Sequence, residues 1–144
     1  MRDAGPTEIG GFGITPSDDP LLIEEIRLVK QQTTEVSVAF NDESVADLFD
    51  ELVDAGLRPE QFARIWIHTH PGASPSPSCV DETTFARCFG NTDWSLMFIL
   101  ARGGETYGRL KFNTGPGGAL RVATSVDWSQ PFPSTDHAAW EAEY

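Results

Sequence analysis

The seven residues Trp94-Ser95-Leu96-Met97-Phe98-Ile99-Leu100 include only one small polar side chain. Side chains alternate between the two faces of a strand, so a run that is apolar at both parities has no face suited to water. It reads as a strand covered on both sides, at the centre of a sheet, and the remaining chain must supply its neighbours and its covering layers.

Those neighbours can be read on either side. Residues 8–14 and the apolar run from Leu21 to Val29 suggest two paired strands with Asp18-Asp19-Pro20 as their turn. Glu35 to Phe40 alternates as a third strand. Asn41 is placed to cap a helix, because Val45, Leu48, Phe49, Leu52 and Val53 recur at helical spacing. Asp42 and Glu43 fall in its first turn, where carboxylates suit the helix dipole, and Gly56 with Pro59 closes it. After the central strand, Gly103-Gly104 is a two-residue hairpin signal. A half-exposed return strand then carries Leu110 and Phe112. Gly115 to Gly118 turns the chain again before Leu120, Val122, Thr124 and Val126. Pro131 and Pro133 mark the end of the core, and residues 138–144 are expected to start a helix or form a docking tail.

The chemistry lies between these segments. Arg64-Ile65-Trp66-Ile67 is an apolar, β-branched run leading straight into His68-Thr69-His70-Pro71. By alternation Ile65 and Ile67 share one face, while Trp66, His68 and His70 share the other. The two imidazoles therefore converge. Pro71 stops the strand, a Pro- and Ser-rich connector follows, and Ser78-Cys79-Val80-Asp81 returns a hydroxyl and a carboxylate. A helix starting near Ser78 fits the spacing of Phe85, Cys88 and Phe89, with Ser78 and Asp81 as a capping box.

Two neutral imidazoles and one carboxylate suit zinc, and three protein ligands leave a fourth tetrahedral position for water, the pattern of a catalytic site. Such a site still needs a separate proton acceptor. A His-x-His pair alone is common on ordinary strands. The added Pro, Ser and Asp at fixed offsets favour a metal site.

These residues resemble the JAMM metalloprotease family, also called MPN-plus. Its signature is an upstream Glu, then His-x-His-Pro, six residues, Ser, two residues and Asp. His68, His70, Pro71, Ser78 and Asp81 match without a gap, and Glu8 with Gly11 offers the family's Glu-x-x-Gly context. The resemblance implies that His68, His70 and Asp81 bind one catalytic Zn2+, that Glu8 is general base and then acid, and that Ser78 donates to the oxyanion. Glu24 and Glu25 are the next candidates for the base. Cys79 is expected to be a spacer and His137 a surface residue.

The expected fold class is α/β: a mixed, curved sheet with flanking helices, matching the family's cytidine-deaminase-like MPN fold. One such domain spans residues 1–144, with a core at about 7–127 and a C-terminal tail at 128–144. Family members usually begin with a strand and a helix ahead of the Glu-bearing strand, and this chain has no room for them before Glu8. The expectation is a minimal variant, a truncated chain, or a face covered by another segment, the C-terminal one being a candidate, or by a partner or second copy.

By resemblance the expected reaction is hydrolysis of the amide after the C-terminal Gly of ubiquitin or a ubiquitin-like modifier. Alternatives are processing of a C-terminal extension or adduct of a sulfur-carrier protein, a role in the phage-tail and cell-wall branch, and a non-catalytic MPN scaffold. Scaffold members characteristically lack the ligands that are intact here.

With 144 residues the chain can bury a self-sufficient core. A net charge of −12 argues against nucleic acid, whose phosphates call for clustered Lys and Arg. No apolar stretch reaches membrane-spanning length and no signal-peptide core is present, so no membrane association and a cytoplasmic location are expected. Two cysteines, Cys79 and Cys88, make no disulfide framework.

Overall fold

The structure, a computed structural model, describes residues 5–131 together with 138 and 141. The elements in chain order are β1 (Gly10–Ile14), β2 (Glu25–Leu28), β3 (Gln31–Thr33), β4 (Val38–Phe40), α1 (Asp42–Asp54), α2 (Pro59–Phe62), β5 (Ile65–His70), α3 (Cys79–Phe89), β6 (Trp94–Ala101), β7 (Thr106–Phe112) and β8 (Gly118–Val122). Six strands form one mixed sheet in the order β2-β1-β5-β6-β7-β8, and β3 and β4 form a separate hairpin. Strands β5 and β6 are parallel, joined by α3, while the other neighbouring pairs in the sheet are antiparallel. The chain is therefore a mixed α/β protein with a mixed sheet and flanking helices.

The apolar run of residues 94–100 is β6, inside the sheet between β5 and β7. Its two faces differ. Met97 and Ile99 are fully buried in a cluster with Phe12, Trp66, Leu48 and Leu52 of α1, and Phe85 and Phe89 of α3. Each phenyl ring of α3 contributes roughly 1.5–3 kcal/mol by leaving water. On the opposite face Leu96 packs with Ile65, Ile67, Ile26, Phe98 and Leu110, and among the described residues no helix takes part in that cluster. Trp94, Phe98 and Leu100 are consequently only half-buried. Both α1 and α3 pack on the face that carries Trp66.

Asn41 caps α1 as expected, its side chain accepting the Ser44 N–H at 2.9 Å. Leu48 and Leu52 are buried, whereas Val53 is exposed. Pro59 opens the short α2 instead of closing α1, and it seats Phe62 in the core. The third strand is shorter than the alternation suggested. Only Val38–Phe40 is extended in a ladder, and it pairs with Gln31–Thr33, which the sequence pattern did not mark.

The turn after β6 also differs, because Ala101 pairs with Glu105 and leaves a three-residue loop, Arg102-Gly103-Gly104, rather than a two-residue one. Gly103 and Gly104 have φ of 92° and 94°, a region that favours residues without a Cβ. Strand β8 ends at Val122, before Thr124 and Val126, and Leu120 and Val126 are exposed. No described helix is long and apolar enough to cross a membrane. The expectations for His137 and for a helix over 138–144 fall outside the described residues, apart from 138 and 141.

Candidate metal centre

Alternation along β5 places Trp66, His68 and His70 in one row on the helix-covered face. Trp66 stacks on His68 with ring centroids 4.2 Å apart. His68 is fully buried and His70 is 11 % exposed. Pro71 ends the ladder, and the connector folds back so that the Ser74 carbonyl lies 3.0 Å from His70 Nδ1. A carbonyl can only accept, so Nδ1 carries the proton and the neutral ring keeps its lone pair on Nε2. Nothing in the sequence pattern singled out Ser74 for this task.

The connector ends in α3, whose first turn supplies the third group. Ser78 Oγ accepts the Asp81 N–H at 3.1 Å, and an Asp81 carboxylate oxygen accepts the Ser78 N–H at 2.6 Å. This reciprocal cap locks the Asp81 carboxylate in place. Its two oxygens lie 3.3 Å from His68 Nε2 and 3.3 Å from His70 Nε2. One ligand atom from each of the three residues falls within 4.8 Å of the others, close enough to share one ion.

Glu8 reaches the same place through the sheet. The antiparallel register Gly10↔His68, continued by the Thr69 N–H to Ile9 carbonyl bond of 2.9 Å, sets Glu8 opposite His70. Its Oε1 lies 3.7 Å from His70 Nε2, and the residue is 3 % exposed. Thr69, between the two histidines, makes this alignment specific: its hydroxyl accepts the Ile9 N–H at 3.0 Å in a buried setting. Gln31 braces the other edge of β1, accepting the Gly10 N–H at 2.8 Å and donating to the Gly10 carbonyl at 3.0 Å. Thr69 and Gln31 were not legible as site residues, since each acts through backbone groups far away in sequence.

Electrostatics follow from this crowding. Burial, and next the nearby Asp81 carboxylate, push Glu8 up to about 7, against the opposing pull of His70. Burial lowers His68, which favours the neutral, ligating ring. The adjacent Asp81 carboxylate raises His70. Burial alone would raise Asp81, but the two imidazoles and the Ser78 N–H hold it well below the usual carboxylate range. Among the described residues, both ring nitrogens of His68, Nε2 of His70 and one oxygen of Glu8 are buried without a hydrogen-bond partner. Buried polar atoms are normally satisfied. Orphaned nitrogens facing a carboxylate are what a divalent cation with nitrogen and oxygen ligands would satisfy, so the donor set fits zinc.

The other candidates lie elsewhere. Glu24 and Glu25 are exposed, and Glu25 pairs loosely with Arg27 at 3.7 Å. Cys79 is exposed on α3, as a spacer would be. Ser78 is half-buried, with its hydroxyl oxygen engaged as a cap acceptor and its proton left to donate. Comparison with known proteins gave no family model and no curated sequence that matches this chain.

Proposed function

We propose that this chain is a zinc-dependent amide hydrolase of the JAMM, or MPN-plus, type, built on an MPN-like sheet. The observation that carries the reading is the convergence of Glu8, which lies just before β1 and 60 positions ahead of His68, on the cluster of His68, His70 and Asp81. A structural metal site would need no buried carboxylate of raised pKa beside its ligands; a hydrolytic one does.

In this reading His68 Nε2, His70 Nε2 and Asp81 hold the ion. Zinc, when bound, supplies Lewis acidity, lowering the pKa of a water to about 7 and polarising the scissile carbonyl. Glu8 accepts the proton of the attacking water and later delivers it to the departing amine. The Ser78 hydroxyl donates to the developing oxyanion, and its place at the start of α3 sets it where the helix dipole also favours negative charge. Burial of Glu8 keeps its affinity for a proton high enough for both transfers.

The substrate assignment comes from the resemblance of His68-Thr69-His70-Pro71, Ser78 and Asp81 to that family: the amide after the C-terminal Gly of a ubiquitin-like modifier. The test is to load the protein with zinc, quantify the metal, and compare its rates on a lysine-linked conjugate and on a C-terminally extended precursor. One zinc per chain and faster cleavage of the conjugate are expected. Metal retained in both His68→Ala and Asp81→Ala would sink the site, and faster precursor cleavage would replace deconjugation by carrier processing.

A further inference from the structure

Glu8, Ile9 and Gly10 lead the chain into the sheet, and their backbone groups alternate between two neighbours. Those of Ile9 face β5: the carbonyl accepts the Thr69 N–H at 2.9 Å, and the N–H donates to the Thr69 hydroxyl at 3.0 Å. Successive residues of an extended chain turn these groups to opposite edges, so those of Glu8 and Gly10 point away from β5. Strand β2 does not receive them, because its ladder with β1 starts at Gly11 and Leu28.

The β3–β4 hairpin stands there instead. The Glu8 N–H donates to the Thr34 carbonyl at 2.8 Å. Gln31 does for Gly10 what a neighbouring strand would do: its side-chain carbonyl accepts the Gly10 N–H at 2.8 Å, and its amide nitrogen donates to the Gly10 carbonyl at 3.0 Å. The same nitrogen donates to the Val29 carbonyl at 3.0 Å, which fixes the carboxamide itself. The Thr33 hydroxyl donates to that of Thr7 at 3.2 Å. Packing is equally close, since a Cβ on Gly10 would lie 2.9 Å from Val38 and 3.1 Å from Phe40, both on β4.

We propose that the β3–β4 hairpin, acting through Gln31, is the positioning element for Glu8, a role that rests on the reading of Glu8 as general base. Gln31 touches no reacting atom. It holds the backbone two residues from Glu8 on one edge while Thr69 holds the other, and the carboxylate is thereby kept 3.7 Å from His70 Nε2. A reacting group works only when its supports are themselves locked in place.

The test uses zinc-loaded protein and reads backbone amide exchange by NMR beside steady-state cleavage of a lysine-linked conjugate. In the wild type the Glu8 and Gly10 amides should be as protected as those of the β1–β5 ladder. Gln31→Met keeps the length of the side chain without its hydrogen bonds. Exchange at Gly10 should quicken about ten-fold or more, and kcat should fall between about ten- and a hundred-fold with KM and zinc content unchanged. Phe49→Leu, a packing change where α1 meets Phe12 and Phe62, controls for lost stability. It should lower the melting temperature and leave kcat intact well below the melt. Wild-type Gly10 exchange as fast as that of an exposed loop, full kcat in Gln31→Met, or an equal kcat loss in Phe49→Leu would each overturn the hairpin's role. An inactive wild type would overturn the hydrolase reading and the role built on it; the two failures are told apart because exchange is read without substrate.

Discussion

Glu8 stands opposite His70 across the β1–β5 ladder, with Oε1 3.7 Å from Nε2, although 62 positions separate them in the chain. Cross-strand neighbours in an antiparallel pair share a face, so the β1–β5 register, extended beyond β1 by the Thr69 N–H to Ile9 carbonyl bond, places Glu8 beside the candidate ligands. The first consequence concerns pH. The Glu8 carboxyl is raised to about 7 in the folded, metal-free protein, above its ordinary 4.5, so the native state holds a proton that the unfolded chain has released. Its stabilising contribution is complete below about pH 4.5 and is lost as pH rises through about 7, at up to roughly 1.4 kcal/mol per pH unit. Glu8→Gln removes this titration. Thermal melts of chelated protein across that range should show the wild type losing stability relative to Glu8→Gln as pH rises; parallel curves would contradict the assignment. With zinc restored, Glu8→Gln should keep its metal and lose turnover.

Thr69 sets the same alignment from the other side. Thr69→Val keeps the shape but leaves the Ile9 N–H buried and unpaired, a cost of about 1–3 kcal/mol. The expected result is a lower melting temperature and a kcat reduced about ten-fold, since small misplacements of a reacting group are expensive. Metal content should be unchanged and Thr69→Ser should restore activity. A Thr69→Val protein with full kcat would show that Glu8 needs no such pin.

The cap that Ser78 makes and the oxyanion contact proposed for it can be separated by substitution. Ser78→Ala removes the cap acceptor for Asp81, costing about 1 kcal/mol, and the hydroxyl proton, expected to slow the chemical step by about 10²-fold. Ser78→Asp can still cap but has no proton to give when ionised. Recovery of thermal stability without recovery of kcat is the expected pattern, and equal turnover in all three proteins would remove Ser78 from the chemistry.

Gly11, three residues after Glu8, is required by the close approach of β1 and β2. A Cβ there would sit 2.6 Å from the Arg27 carbonyl oxygen on β2 and 3.0 Å from Leu28. The first contact is with backbone and cannot rotate away. Gly11→Ala should cost about 1–3 kcal/mol through forced separation of β1 and β2. A melting temperature equal to wild type would mean that the two strands part freely.

The cluster of His68, His70 and Asp81 was legible in the sequence because its parts are local. Strand alternation places both imidazoles on one face, and Ser78 with Asp81 is a capping box whose geometry is set within four residues. Helix α1 was legible for the same reason, through Asn41 and the spacing of Leu48 and Leu52. Long-range pairing was not. Glu24, Glu25 and Glu8 are all upstream carboxylates, and no local rule says which strand lies beside β5; the β1–β5 register selects Glu8 and leaves the others in solvent. The same limit hid Thr69 and Gln31, whose partners are backbone groups of β1, and the Gln31–Thr33 strand, which has no apolar alternation and exists only because β4 offers it a ladder. It also hid which face of β6 the helices would cover, since an apolar run is equally willing on both sides. Local sequence determined the cluster of His68, His70 and Asp81 and its caps, because neighbouring residues share one backbone geometry; tertiary structure decided which carboxylate lies beside that cluster, and which face of the sheet α1 and α3 cover, because each depends on which distant strand or helix arrives.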